Sequence, residues 1–93
     1  DPILEPLSIG LLGDAYCELQ EYSKAVAKYQ KAADKADSEQ MSPYFLKKAG
    51  LVFEEMGKFD EAVKMYTKIK EDYSGSSEAG SIDKYITRAN LRK

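Results

Sequence analysis

A chain of 93 residues has room for one domain, and its 14 basic and 16 acidic residues give a net charge of −2. This near balance provides no field for holding nucleic acid or an anionic membrane surface. Histidine is absent, so the usual general base and the commonest metal ligand are missing. The single cysteine, Cys17, has no partner for an internal disulfide. No apolar run approaches the roughly 20 residues that a membrane span needs.

The chain opens with Asp1-Pro2 instead of a methionine, and it carries no recognisable signal peptide. We therefore expect it to be a piece of a longer protein or a processed form. This expectation leaves a membrane anchor upstream open.

Two helices are predicted between Pro6 and Asp37. Apolar residues three or four positions apart form one face of the first helix: Ile9, Leu12, Tyr16 and Leu19. Gly10 and Gly13 lie within this helix, and each costs about 1 kcal/mol relative to alanine in a free helix. We therefore expect another segment to pack closely against its backbone. Ser23 is expected to cap the second helix. The apolar face of that helix contains Ala25, Val26, Tyr29, Ala32, Ala33 and Ala36.

Three further helices are predicted after a polar link. Ser42 followed by Pro43 is typical of a helix start, and Gly57 is expected to end the third helix in the left-handed conformation. The buried face of the third helix contains Leu46, Ala49, Gly50, Phe53 and Met56. Asp60 is expected to cap the fourth helix. The apolar face of the fourth helix contains Ala62, Val63, Tyr66 and Ile69. A turn then precedes a fifth helix, and no segment shows an alternating strand pattern.

The two helix pairs share one pattern at a spacing of 37 residues. Ile9, Gly13, Tyr16, Ala25 and Tyr29 recur as Leu46, Gly50, Phe53, Ala62 and Tyr66. Large, small and aromatic residues at fixed places, with a period near 34, are the signature of tetratricopeptide repeats. The chain resembles that family over nearly its whole length. Departures from the family pattern are Ile9 and Leu46 in place of tryptophan, and Asp37 and Ser74 in place of proline.

The resemblance implies an all-α fold, a right-handed superhelix of antiparallel helix pairs in one domain over residues 1–93. Its units are a first repeat at about 6–37, a second at about 43–74 and a C-terminal capping helix at about 77–91. Small residues let paired helices approach each other, and aromatic rings fill the wider gaps between helices and between repeats. The residues predicted to pack the repeats are Leu12, Gly13, Tyr16, Ala25, Tyr29, Ala32, Gly50, Phe53, Ala62 and Tyr66.

A second resemblance concerns the junction before the fifth helix. The run from Asp72 to Ala79 is similar to a Tyr-Pro-x-Ser…Ala junction of bacterial cell-envelope tetratricopeptide proteins. These include Tol-Pal accessory and outer-membrane assembly proteins. Ser74 stands in place of the proline. The resemblance implies a bacterial protein anchored in the cell envelope through a segment outside this chain, in preference to a cytoplasmic one.

No group of residues predicts an enzyme. Cys17 is the only thiol, and without histidine it has no ordinary base to activate it. Glu54 and Glu55 are adjacent carboxylates, but neighbours on a helix point in different directions and do not converge on one substrate atom. The chain also lacks a glycine-rich phosphate loop. We therefore predict a non-enzymatic protein with no metal and no cofactor.

The resemblance instead implies protein–protein interaction. In this family the first helix of each pair lines a concave groove that holds peptides. Carried over by position, the groove lining here is Leu7, Gly10, Asp14, Cys17, Glu18, Tyr44, Lys47, Leu51, Glu54 and Glu55. The chaperone-binding branch clamps a C-terminal carboxylate with lysine and asparagine, but Gly10, Asp14 and Lys48 stand at those places. We therefore expect a partner helix or extended segment with apolar anchors and some positive charge.

Two other functions are left open by the sequence. The domain could pair with itself through the end that carries Ile3, Leu4 and Leu7, because a repeat without a neighbour leaves an apolar face uncovered. It could also be a non-catalytic regulatory domain of an enzyme whose catalytic part lies elsewhere. Each function requires a protein partner, and none requires nucleic acid or direct membrane contact.

Overall fold

The computed structural model describes all 93 residues as five α-helices without a strand. They are α1 (Leu4–Glu18), α2 (Tyr22–Ala36), α3 (Ser42–Glu55), α4 (Phe59–Asp72) and α5 (Ile82–Leu91). A short 3₁₀ helix, Glu78–Ser81, leads into α5. Each helix packs against the next one in the chain, so α1 pairs with α2, α3 pairs with α4, and α5 covers α4. The predicted all-α fold of two helix pairs and a C-terminal helix is confirmed.

None of the helices is long and apolar enough to cross a membrane. The core lies between the first helices of the pairs, α1 and α3, and their second helices, α2 and α4. It contains most of the predicted packing residues, and those that are buried are Gly13, Ala25, Tyr29, Ala32, Gly50, Phe53, Ala62 and Tyr66. Tyr16 is partly buried against this core. The fifth helix adds Ile82 and Ala89 to it, so α5 closes the apolar side of the second repeat.

Glycines bring the two helices of each pair together. A Cβ atom built on Gly13 would lie 2.7 Å from the Tyr29 ring, and one built on Gly50 would overlap the Tyr66 ring. Real Cβ atoms do not approach other atoms this closely, so only glycine fits at either place. Gly13 and Gly50 are therefore the contact points that let α1 meet α2 and α3 meet α4, and Gly10 faces the Phe45 ring of α3 in the same way.

Leu12 departs from its predicted packing role, because it is 50% exposed. Its counterpart in the second repeat, Ala49, is 0% exposed. The difference follows from position in the row of helices, since α3 packs against both α2 and α4 while α1 packs extensively only against α2. This side of the first helix of a pair is therefore buried only where another helix precedes it.

The turns inside the two helix pairs share one geometry. Because these turns are short, α2 and α4 begin earlier in the chain than the sequence predicted. Gln20 and Gly57 have φ values of 58° and 74°, in the left-handed region. The next residue in each turn donates its backbone N–H back to Tyr16 or Phe53. The following helix then begins at once, at Tyr22 or Phe59, and no side chain caps it. The predicted caps Ser23 and Asp60 are therefore wrong, because they lie inside the first turn.

Candidate partner-binding face

One side of the molecule is formed by α1, α3 and α5 together. Side-chain contacts join these alternate helices: Lys48 of α3 lies 2.9 Å from Asp14 of α1, and Arg88 of α5 lies 2.6 Å from Glu54 of α3. We call this side the inner face. It includes Leu7, Leu11, Asp14, Tyr44, Lys47, Lys48, Leu51, Glu54, Lys84, Tyr85 and Arg88. Of the predicted groove residues, this set contains Leu7, Asp14, Tyr44, Lys47, Leu51 and Glu54.

A cleft of about 170 Å³ lies between α1 and α3 on the inner face. Its lining residues are Leu7, Gly10, Leu11, Asp14, Tyr44, Phe45 and Lys48. Leu7, Gly10, Asp14 and Tyr44 belong to the predicted groove, whereas Leu11, Phe45 and Lys48 do not. Leu11 and Lys48 lie one helical turn after predicted residues, at i+4 from Leu7 and Tyr44, so helical spacing could have found them. The cleft offers an apolar wall with one ion pair at its edge.

Asp14 is not a free acid on this face. It accepts hydrogen bonds from the hydroxyl of Tyr29 and, at 2.9 Å, from Lys48. Burial raises the pKa of Asp14, but these two hydrogen bonds outweigh it, and the pKa lies below its ordinary value. Asp14 is therefore ionised and neutralised by Lys48. Cys17 lies beside it, with its Sγ 3.6 Å from the Tyr29 hydroxyl, so the thiol belongs to this polar contact within the repeat.

Glu54 departs from its predicted groove role, because it is only 5% exposed. Arg88 covers it from α5 and donates two hydrogen bonds to its carboxylate, of 2.6 and 3.1 Å. Tyr66 donates a third, and Arg92 lies 3.6 Å away. The sequence comparison placed Glu54 on an open helix surface because it did not include the fifth helix as a neighbour of α3. Glu54 fastens α5 onto the second repeat and is not available to a partner.

The two carboxylates belong to one repeated arrangement. In each repeat a tyrosine of the second helix, Tyr29 or Tyr66, donates to a carboxylate of the first helix, and that carboxylate binds a cation of the next helix on the inner face. Burial and the adjacent carboxylate raise the pKa of both tyrosines well above the ordinary value, so the phenols stay protonated and donate. The arrangement links α1, α3 and α5, and it leaves neither Asp14 nor Glu54 as an unpaired charge on the inner face.

The charged groups that surround the Tyr85 ring are positive. The ring centre of Tyr85 lies 4.6 Å from the Lys47 amine, 5.6 Å from the Lys84 amine and 4.9 Å from the Arg88 guanidinium. Lys47 also lowers the pKa of Tyr85 through a hydrogen bond and its charge. Neither lysine takes part in an ion pair within 4.0 Å.

Leu51 lies one helical turn after Lys47, is 40% exposed and provides an apolar neighbour for this group. The acidic Glu18 and Glu55 are exposed at the other end of their helices. No three side chains of cysteine, aspartate or glutamate gather as metal ligands would. The inner face therefore offers apolar side chains and a basic, aromatic end.

Comparison of the chain with known protein families identifies the family to which it belongs. A family model described as YpiA-like, C-terminal tetratricopeptide repeats, matches residues 10–71, from the middle of α1 to the end of α4. No curated protein and no solved structure matched the chain. Tetratricopeptide domains are generally non-catalytic helical repeats that bind proteins. The match carries no information on organism or compartment, so the bacterial cell-envelope location stays a prediction. Since the model covers well over half of the chain, the chain belongs to the family of YpiA-like C-terminal tetratricopeptide repeats.

Proposed function

We propose that the inner face binds a helix or extended segment of a partner protein. The observation that carries this proposal is the cleft between α1 and α3, with Leu7, Leu11 and Tyr44 exposed around it. Soluble domains rarely leave several large apolar side chains together on a concave surface without a ligand for them. The helices that carry these residues are fixed by the core and by the Asp14–Lys48 ion pair. A partner would therefore meet a face that is already formed.

The chemistry of the partner differs from the sequence-based expectation. That expectation of positive charge assumed that Asp14 and Glu54 were free on the groove surface. Both carboxylates are neutralised within the domain. Lys47 and Lys84 flank Tyr85 without an ion pair, and the exposed Glu55 lies one helical turn beyond Leu51. Charge complementarity therefore favours a partner segment with an apolar residue for the cleft and acidic residues toward Tyr85.

Leu51→Glu is expected to weaken partner binding tenfold or more while leaving the fold intact. Leu51 is partly exposed, so a glutamate reaches water there, but it would replace the apolar neighbour of the Lys47–Tyr85 group with a carboxylate that repels an acidic partner segment. The test is affinity capture from a lysate of the source organism with the wild-type domain as bait. Ala27→Glu serves as the control, because Ala27 is exposed on α2, which is not one of the helices that form the inner face. A partner retained equally by both variants would place the binding site elsewhere.

The double substitution Lys47→Glu with Lys84→Glu tests the charge of the partner. It is expected to weaken binding of the captured partner by about tenfold at low salt, and by less at high salt, because exposed charge pairs are weak and screened. The measurement is a titration at two salt concentrations. Lys24→Glu with Lys64→Glu is the control, since both lysines lie on the outer helices. Stronger binding by the inner-face double variant would show that the partner is basic.

A further inference from the structure

A row of lysines lies along α2, on the side of the helix that is turned away from the core. Its members follow one another at spacings of four, three and four residues, and they are Lys24, Lys28, Lys31 and Lys35. We call them the α2 lysine row. Because each residue of an α-helix turns by about 100° and rises by about 1.5 Å, the four side chains start within about 60° of one another around the helix and over about 16 Å along it.

The domain neutralises only the two ends of this row. Lys24 lies 3.3 Å from Glu21, and Lys35 lies 3.7 Å from Glu5 of α1. No carboxylate lies within 4.0 Å of the two middle lysines. The one acidic residue of α2, Asp34, lies 4.0 Å from a lysine of α4, on another side of the helix. The middle of the row therefore presents charge of a single sign.

The equivalent positions of the second repeat carry mixed charges. A shift of 37 residues carries the four lysines onto Glu61, Met65, Lys68 and Asp72 of α4. An outer helix of this fold therefore does not require a row of one sign. Like charges three or four residues apart repel each other and destabilise a helix, so the row makes α2 less stable than mixed charges would. A local conflict of this kind is typical of a binding surface, because it serves no purpose in packing.

Spacing and charge together distinguish between the anionic partners that could bind here. A helix with carboxylates at spacings of four, three and four places one carboxylate opposite each lysine along the whole row. These spacings read the same in both directions, so a parallel and an antiparallel helix fit equally. A flat anionic surface would also meet Asp34 and the acidic residues on the outer side of α4, which repel it.

We propose that the α2 lysine row binds an acidic helix of a partner protein, whose carboxylates recur at the spacing of the lysines. The contact is electrostatic and exposed, so it is sensitive to salt. It lies on the outer side of α2 and does not depend on partner binding at the inner face.

A synthetic helical peptide is the probe for this proposal. Its glutamates are placed at the spacing of the lysine row, and a second peptide of the same composition has its glutamates distributed around the helix. The spaced peptide is expected to bind the domain about fivefold more tightly than the distributed one at low salt, because only its carboxylates match the lysines. Backbone amide NMR signals of residues 24–35 should shift during the titration. High salt should remove most of the difference between the peptides.

Lys28→Glu with Lys31→Glu should weaken binding of the spaced peptide about tenfold or more, because it reverses the two unpaired charges. It should not lower the melting temperature, since it replaces the two repulsive pairs at four-residue spacing with attractive ones. Lys47→Glu with Lys84→Glu is the matched control, because it makes the same change in net charge on the inner face and should leave this binding unchanged.

Three results would overturn the proposal. The first is the absence of amide shifts in α2 at low salt. The second is equal affinity of the domain for the two peptides, which would reduce the effect to net charge. The third is loss of binding in the inner-face variant in place of the α2 variant. Vesicles of anionic lipid or single-stranded DNA that bind more tightly than the spaced peptide, and only when the row is intact, would replace the helix with a lipid surface or a nucleic acid as the occupant.

Discussion

Gly13→Leu is expected to destabilise the domain by about 3 kcal/mol or more, at the upper end of the usual cost of overpacking. The added side chain begins where the Tyr29 ring lies, since even a Cβ atom would be only 2.7 Å from it. Tyr29 cannot move away easily, because it is buried and its hydroxyl is bonded to Asp14. The α1–α2 pair must therefore separate. A domain of this size has only about 5–14 kcal/mol of stability in total.

Urea unfolding followed by circular dichroism measures this effect. Gly50→Leu should be at least as destabilising, because Tyr66 is fully buried and is also bonded to Glu54. Gly80→Leu is the matched control, since a Cβ atom there meets nothing within 4 Å. A Gly13→Leu variant that unfolds at the same urea concentration as wild type would show that the glycine does not lie at the helix contact, and the repeat register would then be wrong.

The sequence predicted the helix pairs because their determinants are local. Apolar residues three or four apart define each helical face, and the recurrence of Gly13 and Tyr29 as Gly50 and Tyr66 identifies the contact within each pair. The same comparison identified the left-handed turn at Gly57. It missed the equivalent turn at Gln20, because glutamine rarely adopts a positive φ. Ser23 and Asp60 were given a capping role that they do not have, because both turns are tight and the following helix begins one residue before each of them.

The candidate site was less predictable because it depends on which helices are neighbours. Comparison of single repeats placed Leu12 in a packed position and Glu54 on an open surface. Leu12 is exposed because residues 1–93 place no helix on that side of α1, whereas Glu54 is buried because α5 packs beside α3 and brings Arg88 over it. Each error arose at an end of the series of helices. There a repeat either has one neighbouring helix fewer, as at α1, or is followed by a helix outside the repeat pattern, as at α5. The charge of the inner face then follows from these ion pairs and not from composition.

Arg88→Ala is expected to reduce the stability of the domain by about 2–3 kcal/mol at neutral pH. This is the usual cost of removing hydrogen bonds from a buried charged group and leaving it incompletely paired. Arg88 makes two hydrogen bonds to Glu54, and in its absence the carboxylate keeps only Tyr66 and the more distant Arg92. Arg92→Ala is the matched control and should cost less, because Arg92 lies 3.6 Å from the carboxylate and makes no hydrogen bond to it.

The same variant should change how stability depends on pH. Burial raises the pKa of Glu54 in the wild-type domain, but the bonds from Arg88 and Tyr66 outweigh it, and the folded-state pKa lies below the ordinary value of 4.5. The ionised carboxylate therefore stabilises the fold above pH 4.5, and this contribution is lost as the pH falls through the lower folded-state pKa. Without Arg88, burial dominates and the folded-state pKa rises, so the variant loses stability at neutral pH and recovers part of it in acid. Urea unfolding at pH 7 and pH 3.5 should show a deficit that shrinks at the lower pH. A deficit of equal size at both pH values would mean that Arg88 acts through packing of its side chain and not through its charge.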